Sequence, residues 1–460
     1  MVGFCFTFHS IFAQSSNTEY FMSSSFAKTA TNPAKRPEKG YIGIPGLTNF
    51  AFDLKTNTLN LDHFLFPGVG ENGKTAWFLH EGVSYNDFMK NISSTNFLGA
   101  NIDATLLGCG FYVNDLFLSF DLSTRVNVGV NLPKDLFDFA KRGLTTEKTY
   151  NLSALKTSVK AFTQLGVGGA YPLLDNSLML GTKVKILLGH AYAELQTKNM
   201  HIDIKHDLWT VTTNASGTIL APKAQVEYDE TGKLDKLNFD GQMSLVNGFG
   251  LGLDLGATFT PGDYFDFADD VEWLNPLTVS AALTDIGFIS WNKTKMNAFA
   301  TDPTETIVTG AYTLSIDDTN DLFKDLEDAF TESVNFHQAT PANITSGLGA
   351  KLNWGVEYAL MDEQINVGFL NTIYFNPVKT ISEFTIAGAY RPANVVELGL
   401  SYSFVHSTFQ TFGFALHLGP GFYIASDYII PHVNSSFFPT TSKALNIQLG
   451  AVVPIGRKHK

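Results

Sequence analysis

VELGLSYSFVHSTFQTFGFALHLGPGFYIASDYII, Val396 to Ile430, carries a large apolar side chain at every second position, breaks, and resumes the pattern. Successive side chains of a β-strand point to opposite faces, so this alternation is strand geometry. In the first segment Leu398, Leu400, Tyr402 and Phe404 share one face, and Gly399, Ser401 and Ser403 share the other. In the next, Phe412, Phe414, Leu416 and Leu418 oppose Thr411, Gly413, Ala415 and His417. Ser407-Thr408 separates the two, and Gly419-Pro420-Gly421 marks the following turn.

The same sorting works upstream. Leu118, Phe120, Leu122, Val126, Val128 and Val130 oppose Ser119, Asp121, Ser123, Arg125, Asn127 and Gly129. Val184, Ile186, Leu188 and Tyr192 oppose Lys183, Lys185, Gly189 and Ala193. Phe249, Leu251, Leu253, Leu255 and Phe259 oppose Gly250, Gly252, Asp254 and Gly256. Leu348, Leu352, Trp354, Val356 and Tyr358 oppose Gly349, Lys351, Asn353 and Glu357, and the last segment sets Leu445, Ile447, Leu449 and Val453 against Asn446, Gln448 and Gly450. These segments run about 10 to 15 residues, whereas soluble strands average ~5–6. A tilted strand needs ~9–11 residues to cross hydrocarbon. A soluble sandwich would crowd its second face with Lys and Glu; here that face is mostly Gly, Ser, Thr, Asn and Ala, which suits a barrel lumen. The expected fold is therefore all-β: a single antiparallel transmembrane β-barrel of about 14 strands. Candidate strand starts outnumber fourteen, so several, notably between His201 and Asn247, belong to loop hairpins or plug segments.

Composition agrees. Charged residues are 16% of the 460, below the ~25% of soluble proteins, and Phe and Gly each number 39. The net charge of −13 and the lack of a Lys/Arg-rich run argue against nucleic acid as a partner. Phe4 to Ala13 resembles the apolar part of a secretory signal, with cleavage near Ala13 or Gln14, although no Lys or Arg precedes it. No run of ~18 apolar residues follows, so no transmembrane helix is expected. Removal of the leader leaves Cys109 as the one thiol, read as a packing residue. The eleven His form no HxxxH, no CxxC occurs, and the Gly-rich stretches 166–169 and 248–256 lie inside strand alternation with no helix after them. Neither a metal nor a cofactor is implied.

The expected organisation is a signal remnant over 1–14, a Pro-rich plug or rim segment over 15–47, and the barrel over 48–460. Two connections read as short helices: Pro133 to Gly143 and Asp318 to Phe330. Trp291, at a strand end before Asn292-Lys293, reads as an interface anchor. The polar residues expected to line the lumen are Asp121, Arg125, Lys183, Lys185, Asp254, Lys351, Glu357, His417 and Asp427. His417, Asp427 and Ser401 or Ser403 are the one Ser/His/Asp set the strand order can assemble; lumen polar residues are common in barrels, so no catalytic site is assigned. The reading is an outer-membrane barrel, monomeric and surrounded by lipid, that binds or passes a small solute, hydrophobic ones included. A non-transporting structural or assembly-partner barrel is the alternative, and a lumen hydrolase a lesser one.

GYIGIPGLTNFAFD, VNLPKDLFDFAKRG, LGLDLGATFT, TVSAALTDIGFISWN and ALNIQLGAVVPIGRKHK, in this order, resemble the landmarks of an uncharacterised family of Gram-negative outer-membrane proteins, a domain of unknown function. That resemblance implies the location and the barrel, and no activity. Thr31 to Ala34, TNPA, is similar to the Asn-Pro-Ala signature of outer-membrane long-chain fatty-acid transporters, which implies fourteen strands and an N-terminal plug. The chain closes on RKHK rather than on the aromatic residue usual in barrels.

Overall fold

A computed structural model of the chain describes residues 16–142, 147–205, 208–230, 232–238, 244–264, 273–301, 304–309, 336–375, 380–405, 409–419, 421–429 and 443–456. Fourteen antiparallel staves close into a barrel. The first is interrupted: β1 comprises Gly40–Gly43 and Asn49–Thr56. Next come β2 (Thr95–Val113), β3 (Leu116–Pro133), β4 (Lys156–Leu173), β5 (Leu178–Lys205) and β6 (Gly248–Phe259). They are followed by β7 (Leu277–Trp291), β8 (Lys351–Leu360), β9 (Ile365–Tyr374) and β10 (Ile381–Ala393). The series ends with β11 (Val396–Val405), β12 (Phe409–Leu418), β13 (Phe422–Ser426) and β14 (Ala444–Ile455). Each stave pairs with its neighbours, and β14 returns to both parts of β1, so no edge is left open. Closure is what lets backbone N–H and C=O groups sit in hydrocarbon.

The opening stretch shows how side chains sort. Leu400 is 68% and Phe412 62% exposed on the outside, while Ser403 between them is fully buried. Along β5 the outward apolar run goes from Leu178 to Leu188, after which the outward positions are polar, as at Lys198 and Asn199. That run matches the ~9–11 residues of a membrane crossing.

Besides irregularities at Lys198 and at Arg391-Pro392, three bulges reset this alternation. A one-residue slip in pairing moves every later side chain to the other face. On β5 the slip lies at His190: Ala161 pairs with Ala191 but Phe162 with Gly189. Beyond it Tyr192, expected outside, is 1% exposed and faces in. On β7 the slip lies at Thr284-Asp285, where Asp285 has φ 57° and both side chains point inward. Trp291 is consequently not an interface anchor. It is buried, lies against Tyr192 with ring centroids 5.1 Å apart, and donates from Nε1 to Ser346 at 2.8 Å. The third lies at Leu106 on β2. Opposite it, Ile44 to Thr48 interrupt β1.

Tight turns link β2 to β3, β4 to β5, β8 to β9, and β10 to β11 at one end of the barrel. Long connections gather at the other. The far half of β5 pairs there with Leu208–Leu220, which pairs with Asn297–Thr301 and Thr304–Thr309. The strand segments between His201 and Asn238, with Thr304–Thr309, therefore lie outside the closed wall, which accounts for the surplus. The helix expected at Pro133 to Gly143 is α2 (Lys134–Arg142); α1 (Tyr85–Met89) joins it, and the helix expected at Asp318 to Phe330 lies outside the described residues. Phe64, Phe78, Phe88 and Phe137 pack these connections together, with Phe78 stacked on Phe88 at 4.4 Å. Asp138 accepts from Tyr85 at 3.0 Å and holds Arg142 at 3.1 Å.

Candidate functional site

Residues 16–39 occupy the lumen. Two short 3-10 turns, Thr18–Phe21 and Ala27–Ala30, fold the segment, and Thr18, Glu19, Met22, Ser25 and Asn32 are fully buried. Wall carboxylates take its backbone donors. Asp427 accepts from Asn17 N at 2.8 Å, Thr18 N at 3.1 Å, Ser16 Oγ at 2.6 Å and Thr18 Oγ1 at 2.8 Å. Glu397 on β11 accepts from Ser23 N at 2.8 Å, Ser24 N at 2.9 Å and the Ser24 hydroxyl. Charge-assisted bonds to amides at the start of a turn are among the stronger hydrogen bonds. Lys35 pairs with Glu357 on β8 and lies 3.8 Å over the Tyr20 ring. At the exit of the segment Arg391 grips Glu38 with both terminal nitrogens, at 2.5 and 3.0 Å.

His417 on β12 meets Glu19 through Nε2 at 3.0 Å and Ser24 through Nδ1 at 3.2 Å. Burial raises the Glu19 carboxyl above its ordinary value, opposed by His417. Burial likewise lowers the Lys28 ammonium to about 8, with the nearby charge of Lys35 adding to the effect. Lys28 donates to Met22 O and Ser23 O at 3.3 and 3.0 Å. The Ser/His/Asp set that strand order allows is not assembled: Ser401 bonds Thr18, Ser403 bonds Thr385, and Asp427 is taken by the lumen segment.

The segment fits because the wall is shaved beneath it. Asn32-Pro33-Ala34 lies on Gly181 and Gly256, which are register partners on β5 and β6. A Cβ on Gly181 would overlap Pro33 and Ala34, and one on Gly256 would overlap Asn32 Oδ1. Gly256→Val is therefore expected to weaken seating of the segment by about 1–3 kcal/mol, the usual cost of overpacking. Limited trypsin digestion at Lys28 and Lys35 reads it out; unchanged protection would place the segment elsewhere.

Toward the long connections the lumen is crossed by ion pairs. Arg125 holds Asp103 through Nε and Asp285 through Nη1, both at 2.9 Å. Lys185 bonds Asp254 at 2.7 Å and Asp285 at 2.6 Å; Lys351 reaches Asp285 at 3.4 Å, and Lys183 pairs with Asp121. Four of the residues expected in the lumen, Arg125, Lys185, Asp254 and Lys351, thus form one network through Asp285, Lys183 and Asp121 form a separate pair, and Glu357, His417 and Asp427 hold the inserted segment. Asp103, Asp285, Glu383 and Glu397 belong to the same interior and were not singled out. Asp285 was hidden by the bulge that turns it inward.

Two cavities adjoin the segment. One of about 90 Å³ lies between the segment and the ion network and includes Gln164, Asn353 and Thr372 in its lining. The other, about 510 Å³, lies where the segment leaves the barrel beside the tight turns, between Phe26, Tyr41, Val396, Phe422 and Val452.

A closed fourteen-stave wall with an apolar exterior and an inserted N-terminal segment defines a plugged transmembrane β-barrel. The chain belongs to the family of unknown function DUF5723, whose pattern matches residues 33–427. No curated protein matches it. Among solved structures it is similar to the toluene transporter TodX of Pseudomonas putida, at 11% identity and a TM-score of 0.41, covering 97% of this chain and 98% of that one. It is also similar to a FadL homologue of Pseudomonas aeruginosa, at 10% identity and a TM-score of 0.33, covering 97% and 100%.

Proposed function

We propose that the chain is an outer-membrane barrel that binds a small, largely apolar solute and passes it when residues 16–39 shift. The cavity of about 510 Å³ beside the tight turns carries this reading. Its size is that of a small-molecule pocket, ~300–1,000 Å³. Its main polar groups are already engaged: Arg391 with Glu38, Glu397 with Ser23 and Ser24, His417 with Glu19 and Ser24. Saturated polar groups leave Phe26, Tyr41 and Val452 as the side chains offered to a guest, and an apolar guest strands none of those groups. Short turns are the periplasmic mark of such barrels, which puts this cavity at the inner mouth.

The same geometry explains why a solute would wait there. The inserted segment is held by side-chain bonds and ion pairs and, among the described residues, joins no sheet ladder before Gly40. It can therefore move without unpairing the wall. Naphthalene titrated calorimetrically against the barrel in lipid nanodiscs, with empty nanodiscs subtracted, is expected to bind. Val452→Trp fills the cavity from its inward-facing, buried position and should weaken that binding by at least about tenfold, since one lost buried contact of ~1.4 kcal/mol already gives that factor. Absence of binding by the intact barrel, or equal binding by Val452→Trp, overturns the reading.

A further inference from the structure

We propose that the lumen holds a second site, for a small uncharged solute rich in hydroxyl or amide donors, in the cavity of about 90 Å³ between the inserted segment and the ion network. It is distinct from the apolar cavity at the inner mouth, and its chemistry is the opposite.

Three observations converge. The first is a set of acceptors without partners. Asn353 on β8 and Thr372 on β9 are direct register partners, 1% and 2% exposed, and both line the cavity. Asn353 spends its amide nitrogen on Thr31 O at 2.9 Å, which fixes the amide orientation and leaves Oδ1 unpaired. Thr372 beside it has the Tyr374 hydroxyl as its neighbour and keeps a lone pair for a guest. Across the cavity Gln164 on β4, 3% exposed, gives Nε2 to Asp121 at 3.0 Å and keeps Oε1 unpaired. A buried acceptor without a donor costs ~1–3 kcal/mol, so two in one lining call for a guest that brings donors.

The second is charge. Arg125, Lys183, Lys185 and Lys351 line the cavity against Asp103, Asp121 and Asp254, and Asp285, bonded to three of those cations, balances the set. A net-charged guest would face an opposing ion in either sign, whereas a neutral one disturbs no pair. The third is size. A water needs ~10–15 Å³ of such space, so the cavity holds several waters or one small polyol in their place.

The test is saturation-transfer NMR on the full-length barrel in lipid nanodiscs, with glycerol as the probe. Glycerol is expected to receive saturation, and the anion glycerate and the cation ethanolamine much less. Thr372→Val removes a hydroxyl that neighbours Tyr374 and holds no atom of the inserted segment among the described residues, and the trypsin digestion checks that the segment stays seated. It is expected to cut the glycerol signal about two- to tenfold, the range of one neutral hydrogen bond. Asn353→Leu should cut it further. A wild-type barrel that transfers nothing to glycerol holds water only, and the proposal fails. Equal signals from Thr372→Val, or stronger signals from either charged probe, overturn it too. Naphthalene binding at the inner mouth is measured separately, so the failure of one site is distinguishable from the failure of the other.

Discussion

Planar bilayers carrying the barrel without residues 16–39, residues 1–15 retained, show a conductance at least about tenfold above that of the intact chain, because a fourteen-stave wall encloses more interior than the eight-stave barrels whose own side chains fill them. In the intact chain the interior is taken by Tyr20, Phe21, Met22 and Asn32, which pack on the wall with 1% exposure or less. Deletion removes that mass. It also frees Asp427, Glu397 and Glu357 from their partners, which adds three carboxylates to the open lumen. The open state should therefore favour cations over anions. Reversal potentials in a KCl gradient measure this. The wall should survive, since its ladder from β1 to β14 closes without the segment. Heat-modifiable migration on a gel checks the fold. A folded barrel with unchanged conductance would mean that the ion network around Arg125 and Asp285 is the true barrier, and the segment a mere lining.

The wall was readable because lipid outside and packed polar groups inside impose a strict period of two. Leu398, Leu400 and Phe404 against Ser401 and Ser403 follow it without a break. What the period could not reveal is where it resets. The slips at His190 and at Thr284-Asp285 carry no mark in the alternation itself; each looks like one more polar residue in a strand. Yet they send Tyr192 and Trp291 inward, and they bring Asp285 to the centre of the ion network. The inserted segment was visible only as prolines and glycines before the first long strand. Its hold on the wall depends on carboxylates more than 350 residues away in sequence, such as Asp427 for Ser16 and Glu397 for Ser24. Strand parity could list Arg125, Lys185, Asp254 and Lys351, and Lys185–Asp254 joins neighbouring staves, but the meeting of Arg125, Lys185 and Lys351 at Asp285 could not be read, because the bulge hides Asp285 and Arg125 reaches it from a distant stave.

A single arginine decides whether the outer surface faces lipid or water. Leu400 sits midway along β11 and is 68% exposed. In a water-soluble protein Leu→Arg at so exposed a position stays within about 0.5 kcal/mol of neutral. In a bilayer the same change at mid-depth costs about 2–4 kcal/mol, because the guanidinium must drag water inward or thin the membrane around it. Leu400→Arg is therefore expected to lower stability by that larger amount when the barrel is unfolded from phosphatidylcholine vesicles by denaturant. Depth supplies the control. Leu418, 46% exposed, ends β12 beside the turn, where the headgroups lie. Leu418→Arg should cost only about 0–1 kcal/mol, as snorkelling returns the charge to water. Equal penalties at both depths would mean that the cost comes from lost protein contacts rather than from lipid. A neutral Leu400→Arg would place that face in water.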